Sequence, residues 1–261
     1  MLCPERPLNE PVPLSQTFGQ DSVDEAERER RIRGVFEAVA RRYDLLNDLL
    51  SFGIHRHWKR VLVRLAAARD GQRIVDLAGG TGDVAARLAG PGRHVTVVDP
   101  SQPMMDVGRA RGLAFVDWQL GSAEQMPLPD ASVDTLTIAF GIRNVTQLDR
   151  ALAEVRRVLK PGGRFLCLEF STPAPWLRPL YDGFSRVVIP RLGGWVAGSP
   201  EAYHYLVDSI RRFPDQAALL RLIQEAGFDA VQHRNLSFGI ACIHTGVRPP
   251  AGAESSGALL P

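Results

Sequence analysis

The sequence predicts an α/β fold: a seven-stranded, mostly parallel sheet with helices on both faces, ending in an antiparallel hairpin. Three observations predict it. From residue 74 to residue 170, short apolar runs of strand length alternate with stretches of helical period, the pattern of a parallel sheet wound with helices. The first run leaves through a glycine turn, Gly79-Gly80-Thr81-Gly82, that leads into a helix. The last two runs, 228–235 and 239–247, are joined too closely for a crossover and therefore pair antiparallel.

The chain has 261 residues, enough for one sizeable domain with extensions. Residues 1–23 are rich in proline and lack both the apolar core and the basic start of a signal peptide, so they read as a disordered tail; residues 249–261 read the same way. The span 24–248 forms the domain. Within it, residues 24–33 place Glu27–Arg31 and Glu29–Arg33 at helical spacing, a weakly stabilising solvated face, and Val35, Phe36, Val39 and Ala40 extend the helix with a buried stripe. A second helix over 55–68 turns Trp58, Val61, Leu62 and Leu65 inward. These two make residues 24–70 an N-terminal helical cap. Strand 74–77, helix 82–89, strand 94–99, helix 101–111, strand 115–120, strand 134–140, helix 146–159 and strand 164–170 follow. Pro161-Gly162-Gly163 stops the helix at Lys160. Helices near 200–212 and 215–226 precede the hairpin, and residues 172–200 stand as an insertion on the acceptor side.

Composition excludes several classes. A formal charge of +2 with scattered basic residues gives no footprint for nucleic acid. Cys3, Cys167 and Cys242 are far apart and lack metal-ligand spacing, so buried reduced thiols, a cytoplasmic setting and no metal are expected. No apolar run approaches the ~20 residues that cross a bilayer.

Strand, glycine turn and helix start together build a site for a nucleotide-like cofactor, because glycine admits close backbone approach and free N–H groups attract acceptor atoms. Gly80-Thr81-Gly82-Asp83-Val84-Ala85 satisfies the loose dinucleotide fingerprint. Asp76, inside the preceding strand, argues against it: a carboxylate there repels a pyrophosphate but favours the sulfonium and ammonium of S-adenosylmethionine. Asp99 ends the next strand, where an acid accepts from both ribose hydroxyls; a helix N-cap before Pro100 is its structural alternative. The terminal hairpin belongs to class I methyltransferases, a Rossmann-like fold, and not to dinucleotide dehydrogenases.

Three further blocks narrow the acceptor. Tyr43-Asp44-Leu45-Leu46-Asn47-Asp48 with Ser51-Phe52-Gly53-Ile54-His55 and Trp58, Phe140-Gly141-Ile142-Arg143-Asn144-Val145-Thr146, and Arg157-Val158-Leu159-Lys160-Pro161-Gly162-Gly163 through Glu169-Phe170-Ser171 resemble the signatures of the UbiE/MenG/COQ-type quinone C-methyltransferases, in order, from about Val35 to Arg248. The resemblance implies methylation of a ring carbon of a polyprenylated quinol, demethylmenaquinol to menaquinol, with a methoxy-polyprenyl-benzoquinol as the alternative. Three positions depart from the family pattern: Leu46 replaces a usual Met, Ser122 stands where Asn is common, and Ala139 replaces a serine that contacts the cofactor. A methyltransferase for another small aromatic acceptor, or a partner subunit without catalysis, remains the rival reading.

Carbon methylation needs a hydroquinone oxygen that loses its proton, an aligned methyl donor and exclusion of water. Arg143 and Asn144 follow strand 134–140 at the carboxyl edge, where ligands of open sheets bind. They are expected to stabilise a developing phenolate, directly or through a water, and to orient the hydroxyl; capping the helix near Thr146 is the alternative. Tyr43 and His55 come from the helical cap and reach the quinol oxygen, while Asp44 and Asn47 hold the two helices together. Glu169 faces the same edge. On the cofactor side, Asp76 and the turn Gly79, Gly80, Thr81 and Gly82 hold the donor, with Thr81 at its methionine end. Asp99 takes the ribose, Ser122 and Ala123 the adenine, Met104 packs near the adenine, and Ala139 keeps only a backbone contact. The stretch 175–198 mixes Trp176, Trp195 and aliphatics with arginine. It is expected to line the isoprenoid channel and touch the inner membrane face peripherally, or else to form a homodimer contact.

Overall fold

The computed structural model describes residues 17–18, 21–184 and 200–250. Most of both expected tails, and residues 185–199 of the insertion with Trp195, lie outside the described residues. The expected N-terminal tail is ordered at its inner end: β1 (Thr17–Phe18) and β2 (Asp21–Ser22) form a small antiparallel ladder.

Three helices follow: α1 (Glu25–Val39), α2 (Tyr43–Ser51) and α3 (Ile54–Ala66). Asp24 caps α1 by accepting from the Glu27 N–H at 2.7 Å. The helix α2 was not anticipated; Phe52 and Gly53, both left-handed, end it and turn the chain into α3. The sheet strands are β3 (Arg73–Leu77), β4 (His94–Asp99), β5 (Val116–Leu120), β6 (Val133–Ala139), β7 (Leu159–Phe170), β8 (Asp229–Leu236) and β9 (Ala241–Val247). Between them lie α4 (Ala85–Leu88), α5 (Gln102–Arg109), α6 (Leu148–Val158), α7 (Pro200–Arg212) and α8 (Gln216–Glu225).

The strand order is β5-β4-β3-β6-β7-β9-β8. All pairings from β5 to β7 are parallel, and β9 runs antiparallel to both β7 and β8. Alternate side chains feed two cores. Val75 and Leu77 of β3 join Leu152 and Val155 of α6 and Leu219 and Ile223 of α8 on one face. Ile74 joins Trp58, Leu62 and Leu88 on the other. Asp76 shares the parity of Ile74, so the strand period aims a carboxylate at the α3–α4 side.

Two boundaries differ from expectation. The helix expected from residue 82 begins at Ala85, because Gly82 (φ +75°) donates back to the Gly79 carbonyl and prolongs the turn. The helix expected to reach Lys160 ends at Val158; Leu159 is already extended and pairs with Val133.

A second correction concerns the supposedly solvated face of α1. The Glu27–Arg31 pair is present at 2.6 Å, but Arg28 is only 1% exposed. Its guanidinium donates to the Thr17 carbonyl (3.1 Å), the Asn144 carbonyl (3.0 Å), the Thr146 hydroxyl (3.0 Å) and the Arg143 carbonyl (3.4 Å). Removing it strands several buried acceptors, so Arg28→Ala should cost about 3 kcal/mol in urea unfolding. Glu27→Ala, on the exposed turn beside it, should leave the urea midpoint almost unchanged.

Candidate active site

The chain switches direction between β3 and β6, and a crevice opens at their carboxyl ends. The glycine turn forms its floor. The Asp76 carboxylate accepts from the Thr137 hydroxyl and the Ala85 N–H, both at 3.0 Å. Burial pushes its pKa up to about 7. Asp99 accepts from the Gly80 N–H and the Ser101 N–H, each at 2.8 Å. It therefore braces the turn, while Ser101 serves as the N-cap of α5. Each carboxylate oxygen keeps a second lone pair for a ligand hydroxyl, and burial raises the Asp99 pKa.

Asp76, Gly79, Gly80, Thr81, Asp99, Met104, Ser122, Ala123 and Ala139 all line one cleft. Gly82 does not; a Cβ there would sit 2.6 Å from the Trp118 ring, so this glycine serves packing. The Ser122 hydroxyl accepts from the Glu124 N–H at 3.2 Å, which leaves less of it for an adenine edge. From above, Ile32 and Phe36 of α1 close the cleft.

A second, apolar cavity of about 630 Å³ adjoins it. Tyr43, Phe36 and Phe140 line both spaces. Trp58, tilted against Phe140 at 6.1 Å and edge-on to Phe170 at 6.1 Å, builds the aromatic wall.

Arg143 lines this cavity at 5% exposure. Its Nη1 donates to the Phe140 carbonyl (2.6 Å) and to Glu169 (2.8 Å). Nε is buried and has no hydrogen-bond partner among the described residues. Burial opposes the charge, but Glu169, with Tyr43 and Tyr205, offsets this and raises the Arg143 pKa. Glu169 thus holds Arg143 in place and is itself 1% exposed.

Asn144 faces the cofactor cleft and not the apolar cavity. Its Oδ1 accepts from the Tyr205 hydroxyl at 2.9 Å, so the expected direct hold on a quinol hydroxyl is replaced by a hold on Tyr205. It does not cap α6 either. Glu124 instead holds the chain just ahead of α6, accepting from the N–H groups of Thr146 (2.7 Å) and Gln147 (2.6 Å).

His55 is 6% exposed and lines the apolar cavity. Ser51 Oγ donates to the Asn47 carbonyl at 2.6 Å and lies 2.8 Å from His55 Nδ1. A hydroxyl has one proton to give, which assigns the ring hydrogen to Nδ1 and leaves Nε2 as the acceptor, 3.7 Å from Asp48 Oδ1. Burial first, then Lys59, lowers the His55 pKa to about 4, and the ring is neutral. Asp44 was expected to bind the cap helices together; it accepts instead from the Thr81 hydroxyl at 3.0 Å, which ties α2 to the glycine turn.

Several site residues escaped the sequence reading: Arg28, Lys59, Glu124 and Tyr205. Lys59 had a legible signal. His55, Lys59, Leu62 and Ala66 fall on one helical stripe, and all four are buried, so a cation stands where the period calls for an apolar residue.

A model of the ubiE/COQ5 methyltransferase family matches residues 24–248. A Rubrivivax gelatinosus protein named ubiquinone/menaquinone biosynthesis C-methyltransferase UbiE is 68% identical over 248 residues, covering 95% of this chain and 99% of its own length. A protein of the same name from Methylobacterium nodulans is 52% identical over 244 residues, covering 89% and 96%. A solved SAM-dependent methyltransferase of Thermotoga maritima shares the fold at 23% identity and a TM-score of 0.60, over 82% of this chain and 98% of that one.

The sheet order, terminal hairpin and acid-lined glycine cleft define a class I methyltransferase dependent on S-adenosylmethionine. The chain belongs to the ubiE/COQ5 methyltransferase family and is a C-methyltransferase. The residues present fit the methyl donor. Gly80 (φ +56°) keeps the floor open, since a Cβ there would lie 3.0 Å from the Met104 methyl. The acids of the cleft suit a sulfonium and ammonium and would repel a pyrophosphate.

A carboxyl titrating near 7 is protonated below that pH and loses its attraction for a cation. Binding of S-adenosylhomocysteine, followed by calorimetry, should therefore weaken by about tenfold from about pH 8 to about pH 6, with proton release on binding. Asp76→Asn should flatten this step; a full step persisting in that variant would assign it to another group.

Proposed function

We propose that this enzyme transfers a methyl group from S-adenosylmethionine to a ring carbon of a polyprenylated quinol, with demethylmenaquinol to menaquinol as its reaction. The observation that carries this reading is the apolar cavity of about 630 Å³ joined to the cofactor cleft through Tyr43, Phe36 and Phe140. A flat aromatic ring with an isoprenoid tail matches its lining. The names of the relatives cite both ubiquinone and menaquinone, which favours 2-methoxy-6-polyprenyl-1,4-benzoquinol as a second acceptor.

When bound, S-adenosylmethionine supplies an electrophilic methyl group. The protein's task is to make the ring carbon nucleophilic and to keep water out. His55 Nε2 takes up the hydroxyl proton of the quinol as the ring carbon bonds the methyl group, and returns it to that oxygen as the methylated carbon sheds its own hydrogen as a proton to solvent, which restores the aromatic ring. Arg143 donates its unpaired Nε–H to the oxygen as charge builds there, with Glu169 as its positioning partner. Tyr43, at the junction of the two spaces, orients the ring. Asn144 acts through Tyr205.

The mouth of the cavity is rimmed by exposed apolar side chains. Phe52 is 77% exposed and Leu180 72%, and Trp176 stands 5.2 Å from the exposed Phe238 ring. Phe52 (φ +49°) and Phe238 (φ +58°) are both held in the left-handed region, which places both rings at the surface beside the cavity. Arg56, Arg60 and Arg64 line the exposed side of α3 nearby. This combination supports peripheral contact with an anionic bilayer, the phase that holds such quinols. Among the described residues no helix is long and apolar enough to cross a membrane.

Radiolabelled methyl should pass from S-adenosylmethionine to reduced demethylmenaquinol and not to the oxidised quinone; transfer to neither it nor the benzoquinol would defeat the proposal. Arg143→Ala should lower kcat by about 100-fold or more and leave cofactor affinity nearly unchanged, whereas parallel loss of cofactor binding would make Arg143 structural. Replacing Phe52, Trp176 and Phe238 by Ser should abolish flotation with anionic liposomes and reduce activity on long-tailed acceptors alone. Unchanged flotation would remove the bilayer from the proposal.

A further inference from the structure

Lys59 is the one buried cation among the residues lining the cofactor cleft. It is 6% exposed and held on the inner stripe of α3. Its Nζ donates to Asp83 Oδ2 at 2.9 Å. That is its only hydrogen bond among the described residues, although an ammonium carries three N–H donors. Leaving two of them unmet in a buried place is costly. Asp83 does not depend on Lys59 alone, because Arg87 also donates to it, at 3.1 Å.

The position along the sheet edge indicates what completes the shell. Asp99 ends β4, and Ser122 and Ala123 follow β5, so the groups suited to a nucleoside stand on that side. Lys59 and Asp83 stand beyond the glycine turn of β3, with Thr81 and Asp76. Their charges suit the amino-acid part of the donor, which is a zwitterion. Asp76 and Asp83 suit its ammonium. Without a cation they would repel its carboxylate.

We propose that Lys59 binds the α-carboxylate of S-adenosylmethionine, using the N–H donors that Asp83 leaves free. Asp83 is then a positioning residue: it holds the ammonium of Lys59 toward the cleft. The inference rests on the cleft holding this donor, as the family assignment states, and adds the group that recognises its amino-acid end.

Two ligands separate the possibilities. S-adenosylhomocysteine keeps the whole amino acid; its decarboxylated analogue keeps the ammonium and lacks the carboxylate. Calorimetry on the intact protein should find S-adenosylhomocysteine bound about 10–100-fold more tightly than the analogue, the range of a charge-assisted hydrogen bond in a buried site. Lys59→Met should erase that preference by weakening S-adenosylhomocysteine alone, and Lys59→Arg should keep most of it. Equal binding of both ligands to the unaltered protein overturns the proposal even if Lys59→Met does not fold. An equal loss for both ligands in Lys59→Met overturns it as well and makes the Lys59–Asp83 pair a strut. Failure of the unaltered protein to bind S-adenosylhomocysteine at all would strike the cofactor assignment itself.

Discussion

The active site depends on a buried guanidinium that has no carboxylate partner among the described residues. Arg28 spends its N–H groups on neutral oxygens of Thr17, Arg143, Asn144 and Thr146, and burial lowers its pKa accordingly. A fork with five donors can satisfy several carbonyls at once, which a lysine cannot. These contacts fix α1 to the loop that carries Arg143 and Asn144. They also close a ring of contacts. Phe18, next to Thr17, stacks on Tyr205 at 4.6 Å, and Tyr205 returns to Asn144. The helix over the ligands and the loop beside the chemistry are therefore one unit. Opening one withdraws hydrogen bonds from the other.

Charge and apolar surface are divided along the sheet edge. Over β4 and β3 the ionisable groups are acids with one buried lysine, each fastened to backbone or to a partner. Over β6 and β7 the lining is aromatic and aliphatic, and its one buried ion pair, Arg143–Glu169, is internally neutral. A polar donor and an apolar acceptor can thus bind side by side, meeting only where Tyr43, Phe36 and Phe140 line both spaces. The two halves are held in register by short polar links from the cap, Asp44 to Thr81 and Lys59 to Asp83.

What could be read from the residues follows from which physical signals are local. The strand order, the terminal hairpin, the glycine turn and the placing of Asp76 and Asp99 rest on period, turn chemistry and connection length, all visible within a few residues. Arg28 carries no local signal, because a run of alternating acids and bases looks solvated from either side and its partners lie 11 and more than 110 residues away. Asn144 departs from the capping alternative for a similar reason. Asn is a strong local N-cap, but here a carboxylate from a distant turn holds the chain just ahead of the helix. Lys59 differs, since its burial was implied by the stripe it shares with His55 and Leu62.

Methylating carbon asks an apolar cavity to tolerate a transient anion. A free cation there would draw in water and hold a phenolate too firmly to react. Pairing Arg143 with Glu169 avoids both, because the pair carries no net charge while one buried N–H of Arg143 has no partner among the described residues. His55 complements this. Burial keeps the ring neutral, and the Ser51–Asn47 chain fixes Nε2 as an acceptor. A weak base then takes the hydroxyl proton only to the extent that the oxygen gains stabilisation from Arg143. In the proposed reaction, charge therefore develops on the quinol only when its ring is seated against both residues, which is also where Tyr43 joins it to the methyl donor.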